Sequence, residues 1–91
     1  MSWNARDFDK VFNKLRMTVR NGNDRIALFY HNGRLITRTK RSLGKGKVDN
    51  KIRHLIRQQL KLSDSALSGI KNCSLQREDY VEILRHQGYI P

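Results

Sequence analysis

One cysteine, one proline and eight acidic side chains are what this 91-residue chain has least of, and each scarcity removes a class of protein. Cys73 alone cannot close an internal disulfide, and no second cysteine exists to complete a thiolate metal site. That usage points to a reducing, intracellular setting, here taken as cytoplasmic, with Cys73 itself read as a space-filling residue ahead of a helix. The single proline is Pro91, and neither repeats nor a Pro/Gly/Ser-rich linker interrupt the chain, so residues 1–91 are read as one domain. No run of about 18 apolar residues is present, which excludes a membrane-spanning helix. The opening MSWNARDFDK lacks the basic start and apolar centre of a signal peptide. Paired carboxylates, metal-ligand spacings and a Gly-x-Ser-x-Gly elbow are all missing, so no metal or cofactor is expected. With 37% hydrophobic residues the chain can still build a core, although one this short buries only about 60–65% of its extended surface.

Against eight acids stand nineteen Lys and Arg, for a net charge of +11. The excess is concentrated. Residues 1–9 carry −1, residues 62–91 carry −1, and residues 10–61 carry +13 with only Asp24 and Asp49 as acids. Solubility is served by mixed charges, and a one-signed block repels itself, so the imbalance calls for an anionic partner. Nucleic acid fits best; an acidic protein or an anionic membrane surface fits less well, because the polar helix faces lack the large aromatics of an interfacial anchor.

The periodicity gives an α+β order. Phe8, Val11, Phe12 and Leu15 recur at i, i+3, i+4 and i+7, predicting a helix from Asn4 to Met17 with Asn4 as N-cap and Asp7 and Asp9 in the first turns. Three strands follow: Thr18–Arg20, then Arg25–His31 and Arg34–Arg41 around Asn32-Gly33, a two-residue type I′ hairpin signal. Running the register out from that turn pairs Tyr30 with Leu35, Leu28 with Thr37 and Ile26 with Thr39 on one face, the expected core. It pairs Phe29 with Ile36, Ala27 with Arg38 and Arg25 with Lys40 on the other. Phe29 and Ile36 there are either a base-stacking platform or a pair covered by a neighbour. After a basic loop, Ser42–Lys47, read as flexible, Asp49 or Asn50 caps a helix to about Leu60, with Ile52, Leu55, Ile56 and Leu60 inward. Two short helices close the chain, one starting at Ser63 with Ala66, Leu67 and Ile70 inward. The other is capped by Ser74, with Tyr80, Ile83 and Leu84 inward, and stops at Gly88. The fold expected is α-β-β-β-α, a three-stranded antiparallel sheet with helices on one face and two short extra C-terminal helices.

The candidate nucleic-acid-binding residues follow from that layout. Lys45, Gly46 and Lys47 lead into a helix N-terminus, whose free N–H groups and partial positive charge suit phosphate. Lys51 and the outer stripe Arg53, Arg57 and Lys61 extend the track, and Arg38, Lys40 and Arg41 approach it from the last strand.

The early helix ending near Arg16-Met17, the hairpin FYHNGRLITRTKRSLGKG and the runs IRHLIRQQLKL and KNCSLQREDYVEIL resemble the HicA family of small toxins and a wider HicA-like set. The first resemblance covers roughly residues 8–62; the C-terminal segment is similar only to the wider set. The resemblance implies a double-stranded-RNA-binding-type fold, RNA cleavage and an antitoxin protein that masks the basic surface. The sequence departs from the family at its histidines. Where HicA toxins carry a Gly-Ser-His-like motif, this chain has Gly22-Asn23-Asp24-Arg25; where the wider set shows Ser-His-Gly, it has Ser42-Leu43-Gly44.

Transfer of a proton from a ribose 2′-hydroxyl needs a base with a pKa near working pH, and imidazole is the natural one. His54, near the basic helix, and His31, at the hairpin, are the substitutes on offer; His86 lies outside the basic region. Three readings stand. The chain binds structured or double-stranded RNA by shape and phosphate contact; it is an active HicA-like mRNA endoribonuclease; or it is a DNA-binding regulatory protein whose helices between Asn50 and Gln87 enter a groove.

Overall fold

A computed structural model describes residues 3–42 and 46–91. The chain runs β1 (Trp3–Asn4), α1 (Ala5–Lys14), β2 (Thr18–Asn21), β3 (Asp24–His31), β4 (Arg34–Ser42), β5 (Lys47–Val48), α2 (Asn50–Gln59), α3 (Asp64–Lys71) and α4 (Arg77–His86). The α+β architecture and the antiparallel meander β2-β3-β4 are as expected, with the helices on one of its faces. A second, two-stranded sheet was not. Trp3 and Asn4 pair with Val48 and Lys47, and the N–H of Ala5 donates to the Gly46 carbonyl at 2.9 Å. The segment read as a flexible loop therefore has Ser42 at the end of β4 and Lys47 in β5, with Gly46 between them at φ 104, a conformation that favours glycine.

Helix α1 starts where its sequence says it should. Asn4 accepts from the Asp7 N–H, and the Asp7 carboxylate accepts from the Asn4 N–H, a closed capping box. Its stripe Phe8, Val11, Phe12 and Leu15 is buried, joined by Trp3, whose ring lies 4.8 Å from that of Phe8.

Along β3 the sheet buries the face opposite to the one expected, while Thr37 and Thr39 of β4 face inward and Arg38 and Lys40 outward as expected. The hairpin turn forms, with Asn32 at φ 52 and Gly33 at φ 77, and it pairs His31 with Arg34 and Tyr30 with Leu35. A bulge at Ile36 then shifts the register by one, so that Phe29 pairs with Thr37, Leu28 with Arg38, Ala27 with Thr39, Ile26 with Lys40 and Arg25 with Arg41. Without the bulge, Arg38 and Lys40 would share a face with Phe29 and Ala27. The shift sends both cations outward and brings Thr37, Thr39 and Arg41 inward, where each has a partner. Thr37 and Thr39 donate through Oγ1 to the backbone carbonyl and side-chain Oε1 of Gln59, and Arg41 reaches Asp9. Counting apolar residues favours Tyr30, Leu28 and Ile26, but polar groups with fixed partners decide the matter. Phe29 is fully buried, edge-on to Tyr80 at 4.8 Å and 75°, with the Arg77 guanidinium 4.9 Å from its ring centre, so it is a covered core residue and no stacking platform. Tyr80 donates its hydroxyl to the Leu60 carbonyl at 2.8 Å, and burial raises its phenol above the ordinary tyrosine range.

All four helices end in the same device. The residue after each C-cap adopts a left-handed conformation: Arg16 (φ 54), Lys61 (φ 63), Cys73 (φ 67) and Gly88 (φ 87). The next N–H closes back on the helix, Met17 to Phe12, Leu62 to Arg57, Ser74 to Gly69 and Tyr89 to Leu84, at 2.8–3.1 Å. Only the last stop uses glycine. Arg16 is exposed and makes no ion pair among the described residues, so Arg16→Gly should relieve the left-handed strain and raise stability by about 0.5–1 kcal/mol, a melting point higher by a few degrees. A thermal melt of the single variant checks this; a lower melting point would show that Arg16 holds something its backbone does not reveal. The last helix also begins later than expected: Gln76, not Ser74, is its N-cap, and the Gln76 N–H donates to the Asp79 carboxylate at 2.8 Å.

Candidate nucleic-acid interface

The acidic residues are largely used for construction. Asp9 receives Arg41 through Nε and Nη2 at 2.9 and 2.7 Å and Arg25 through Nη1 at 2.7 Å, tying α1 to β3 and β4. Asp64 lies 3.3 Å from Arg53 Nη1 and 3.4 Å from Arg57 Nε, joining α2 to α3. Asp7 adds a 3.6 Å pair with Lys71, whose Nζ also stands 4.7 Å from the Trp3 ring centre. Asp49 caps α2 by accepting from the Lys51 N–H at 3.1 Å. With the acids so placed, the uncompensated positive charge falls on the remaining surface.

The candidate residues sort accordingly. Arg41 is only 6% exposed and held by Asp9 and the Ser42 carbonyl, so it braces the fold and does not face solvent. Arg53 and Arg57 form no outer stripe. Their side chains are about four-fifths covered, turned toward α3, and Arg57 also donates to the Leu62 carbonyl at 2.9 Å. The helix is rotated relative to expectation: Ile56 and Leu60 are buried, whereas Ile52 and Leu55, expected inside, are 42% and 47% exposed. Two arginines that share a carboxylate occupy the positions that apolar periodicity would have given to Ile52 and Leu55. Lys45 lies outside the described residues. The α2 N-terminus carries its own carboxylate cap, which answers part of the positive end that phosphate would otherwise meet.

Arg38, Lys40, Gly46, Lys47, Lys51 and Lys61 remain, and all but Lys51 line a shallow groove or its ends where β4 runs beside α2. Arg38 and Gln59 are shared by the two depressions at its middle and lower end, one reaching Ile26 and Lys40, the other Leu35, Lys61 and Tyr89. The upper depression, by Ser42, Gly46, Lys47 and Ile52, sits over the α2 start. Lys51 is exposed on the first turn of α2. Among the described residues Arg38, Lys47 and Lys51 are exposed and make no ion pair, and Lys40 makes one long contact to Asp24 at 3.7 Å. Lys61 stands 5.4 Å from the Tyr89 ring centre.

Arg20 and Arg34 are exposed cations that sequence reasoning passed over. In α4, Arg77 is consumed internally, donating to the Leu15 and Tyr30 carbonyls at 3.2 and 3.0 Å, and Arg85 pairs with Glu82, which leaves that helix without a free arginine for a groove.

His54 is exposed on α2 and His31 half-buried beside the hairpin turn; among the described residues neither bonds a carboxylate that could orient it as a base. No cluster of three His, Cys, Asp or Glu side chains fit to hold a metal occurs among them. Cys73 does not fill space. It is exposed, and the Lys14 side chain, hydrogen-bonded to it, holds the thiol below its ordinary range. No helix is long and apolar enough to cross a membrane. Comparison with known proteins gives no match to a family model, a curated protein or a solved structure.

Proposed function

We propose that this domain binds nucleic acid, structured or double-stranded RNA in the first place, through phosphate contacts along the β4–α2 groove. The observation that carries the reading is the division of labour among charges. Asp7, Asp9, Asp49 and Asp64 are engaged in helix caps and interhelix or helix–sheet ion pairs, while Arg38, Lys40, Lys47 and Lys51 stand exposed along one seam. A solubilising surface has no need of such an excess of one sign. The HicA-like resemblance of the hairpin and of α2 supports RNA over DNA, and an antitoxin-type protein partner and a cytoplasmic location belong to the same proposal. No catalytic step belongs to this proposal: among the described residues neither His31 nor His54 bonds a carboxylate that would orient it. Parallel titration of the protein with a duplex RNA and a duplex DNA of the same sequence tests the assignment. Tighter binding to RNA is expected, because the A-form minor groove offers 2′-hydroxyls beside the phosphates; preference for DNA would replace this reading with the DNA-binding one.

A further inference from the structure

The face of the sheet turned away from the helices carries Arg38 and Lys40, already assigned to the duplex, beside apolar residues that the proposal above leaves unused. Along β3 it carries Ile26, Leu28 and Tyr30, and along β4 Leu35, Arg38 and Lys40, paired as Tyr30–Leu35, Leu28–Arg38 and Ile26–Lys40, with Thr18 and Arg20 of β2 beside Leu28 and Ile26; Leu28 is only 9% exposed, so the apolar part that stands open is Tyr30 and Leu35. Helices α1, α2 and α4 all engage the opposite face, through Asp9, Gln59 and Tyr80. Tyr30 and Leu35 are 38% and 46% exposed, and Leu35 borders the depression it shares with Lys61 and Tyr89. The Tyr30 backbone is nonetheless fixed. Its carbonyl accepts from Arg77 Nη2 at 3.0 Å, and the bulge beside it sets the direction of the strand. An aromatic ring thus stands exposed on a rigid support, with an aliphatic neighbour directly across and two cations further along the same face.

We infer that this open face holds unpaired nucleotides adjoining the bound RNA duplex, with a base stacked on Tyr30 against Leu35 where the strand leaves the phosphates held by Arg38 and Lys40. The inference rests on the nucleic-acid reading and extends it to a second substrate element. Charge selects the occupant. A second copy of the chain laid face to face would set Arg38 and Lys40 against their own kind, with Asp24 as the one nearby acid, already paired to Lys40 at 3.7 Å. A strand continuing from the duplex brings a flat apolar base to the ring while its phosphates meet the cations beside it, and stacking on an aromatic tolerates any base.

The test is a binding titration of wild type, Tyr30→Ala and Tyr30→Phe with two labelled RNA hairpins, a blunt stem and the same stem carrying a short single-stranded extension. The extension is expected to tighten wild-type binding about fivefold to a hundredfold. Tyr30→Ala should abolish that gain while binding the blunt stem as wild type does, and Tyr30→Phe should keep it. Equal binding of both RNAs by wild type, or a gain that survives Tyr30→Ala, would overturn the inference and leave duplex binding intact. So would Tyr30-dependent self-association of the free protein in sedimentation, which would assign the face to a second copy. So too would an acidic protein competing with the extension but not with the stem. Failure to bind either RNA would instead remove the nucleic-acid reading itself.

Discussion

Asp9→Ala should lower the stability of this domain by about 3 kcal/mol, a fall in melting temperature of roughly 12–24 °C for a chain of this size. Asp9 is the one carboxylate that answers both Arg25 and Arg41, and Arg41 is nearly enclosed. Removing it takes two charge-assisted hydrogen bonds from a guanidinium that is only 6% exposed beneath α1. Such an uncompensated charge costs about 3–5 kcal/mol when fully enclosed; the lower end applies because the Asp9 side chain is itself one-third exposed. Arg25→Ala should cost far less, about 1 kcal/mol, since Arg25 is more exposed and its loss leaves Asp9 with Arg41. Asp9→Leu combined with Arg41→Met should recover most of the loss, because removing both partners removes the desolvation problem. Chemical denaturation of the three variants reads these differences, and a neutral Asp9→Ala would show that the ion pair does not brace the sheet against α1.

Removing the three groove cations and Lys51 on the adjoining first turn of α2, by Arg38→Ala, Lys40→Ala, Lys47→Ala and Lys51→Ala together, should leave the fold intact and weaken RNA binding alike for all sequences. Each phosphate contact on duplex nucleic acid contributes about 0.9 to the slope of log affinity against log salt, so four fewer contacts should flatten the slope by about 3–4. The expected independence from stability is specific to these residues. Arg41, Arg53 and Arg57 are equally basic, yet each is tied to Asp9 or Asp64, and replacing them should show first in the melting curve. A quadruple variant that binds with an unchanged slope would move the interface elsewhere, toward the cations of α1 or β2.

Where local physics decides the structure, the residues are readable directly. The α1 stripe, the Asn4–Asp7 cap, the Asn32-Gly33 turn and the Gly88 stop each carry their instruction within a few neighbouring residues. The stops at Arg16, Lys61 and Cys73 were hidden because non-glycine residues take the left-handed conformation there. The choice of buried sheet face was hidden for a different reason. It depends on Thr37, Thr39 and Arg41 meeting Gln59 and Asp9, partners that lie from 20 to 32 residues away in the chain, and a one-residue bulge is enough to invert the outcome. The candidate site divides the same way. A net charge of +11 announces an anionic partner, but which cations serve it is fixed by which acids the fold has already engaged. That is why Arg38, Lys40 and Lys47 stay in the site while Arg41, Arg53 and Arg57 leave it.

Titrating the unmodified protein with a duplex RNA over a series of salt concentrations bears most directly on the proposed function. About six phosphate contacts predict that log affinity falls with log salt at a slope near −5. Affinity that stays constant across the same range would contradict phosphate binding, and with it the role given to the β4–α2 groove.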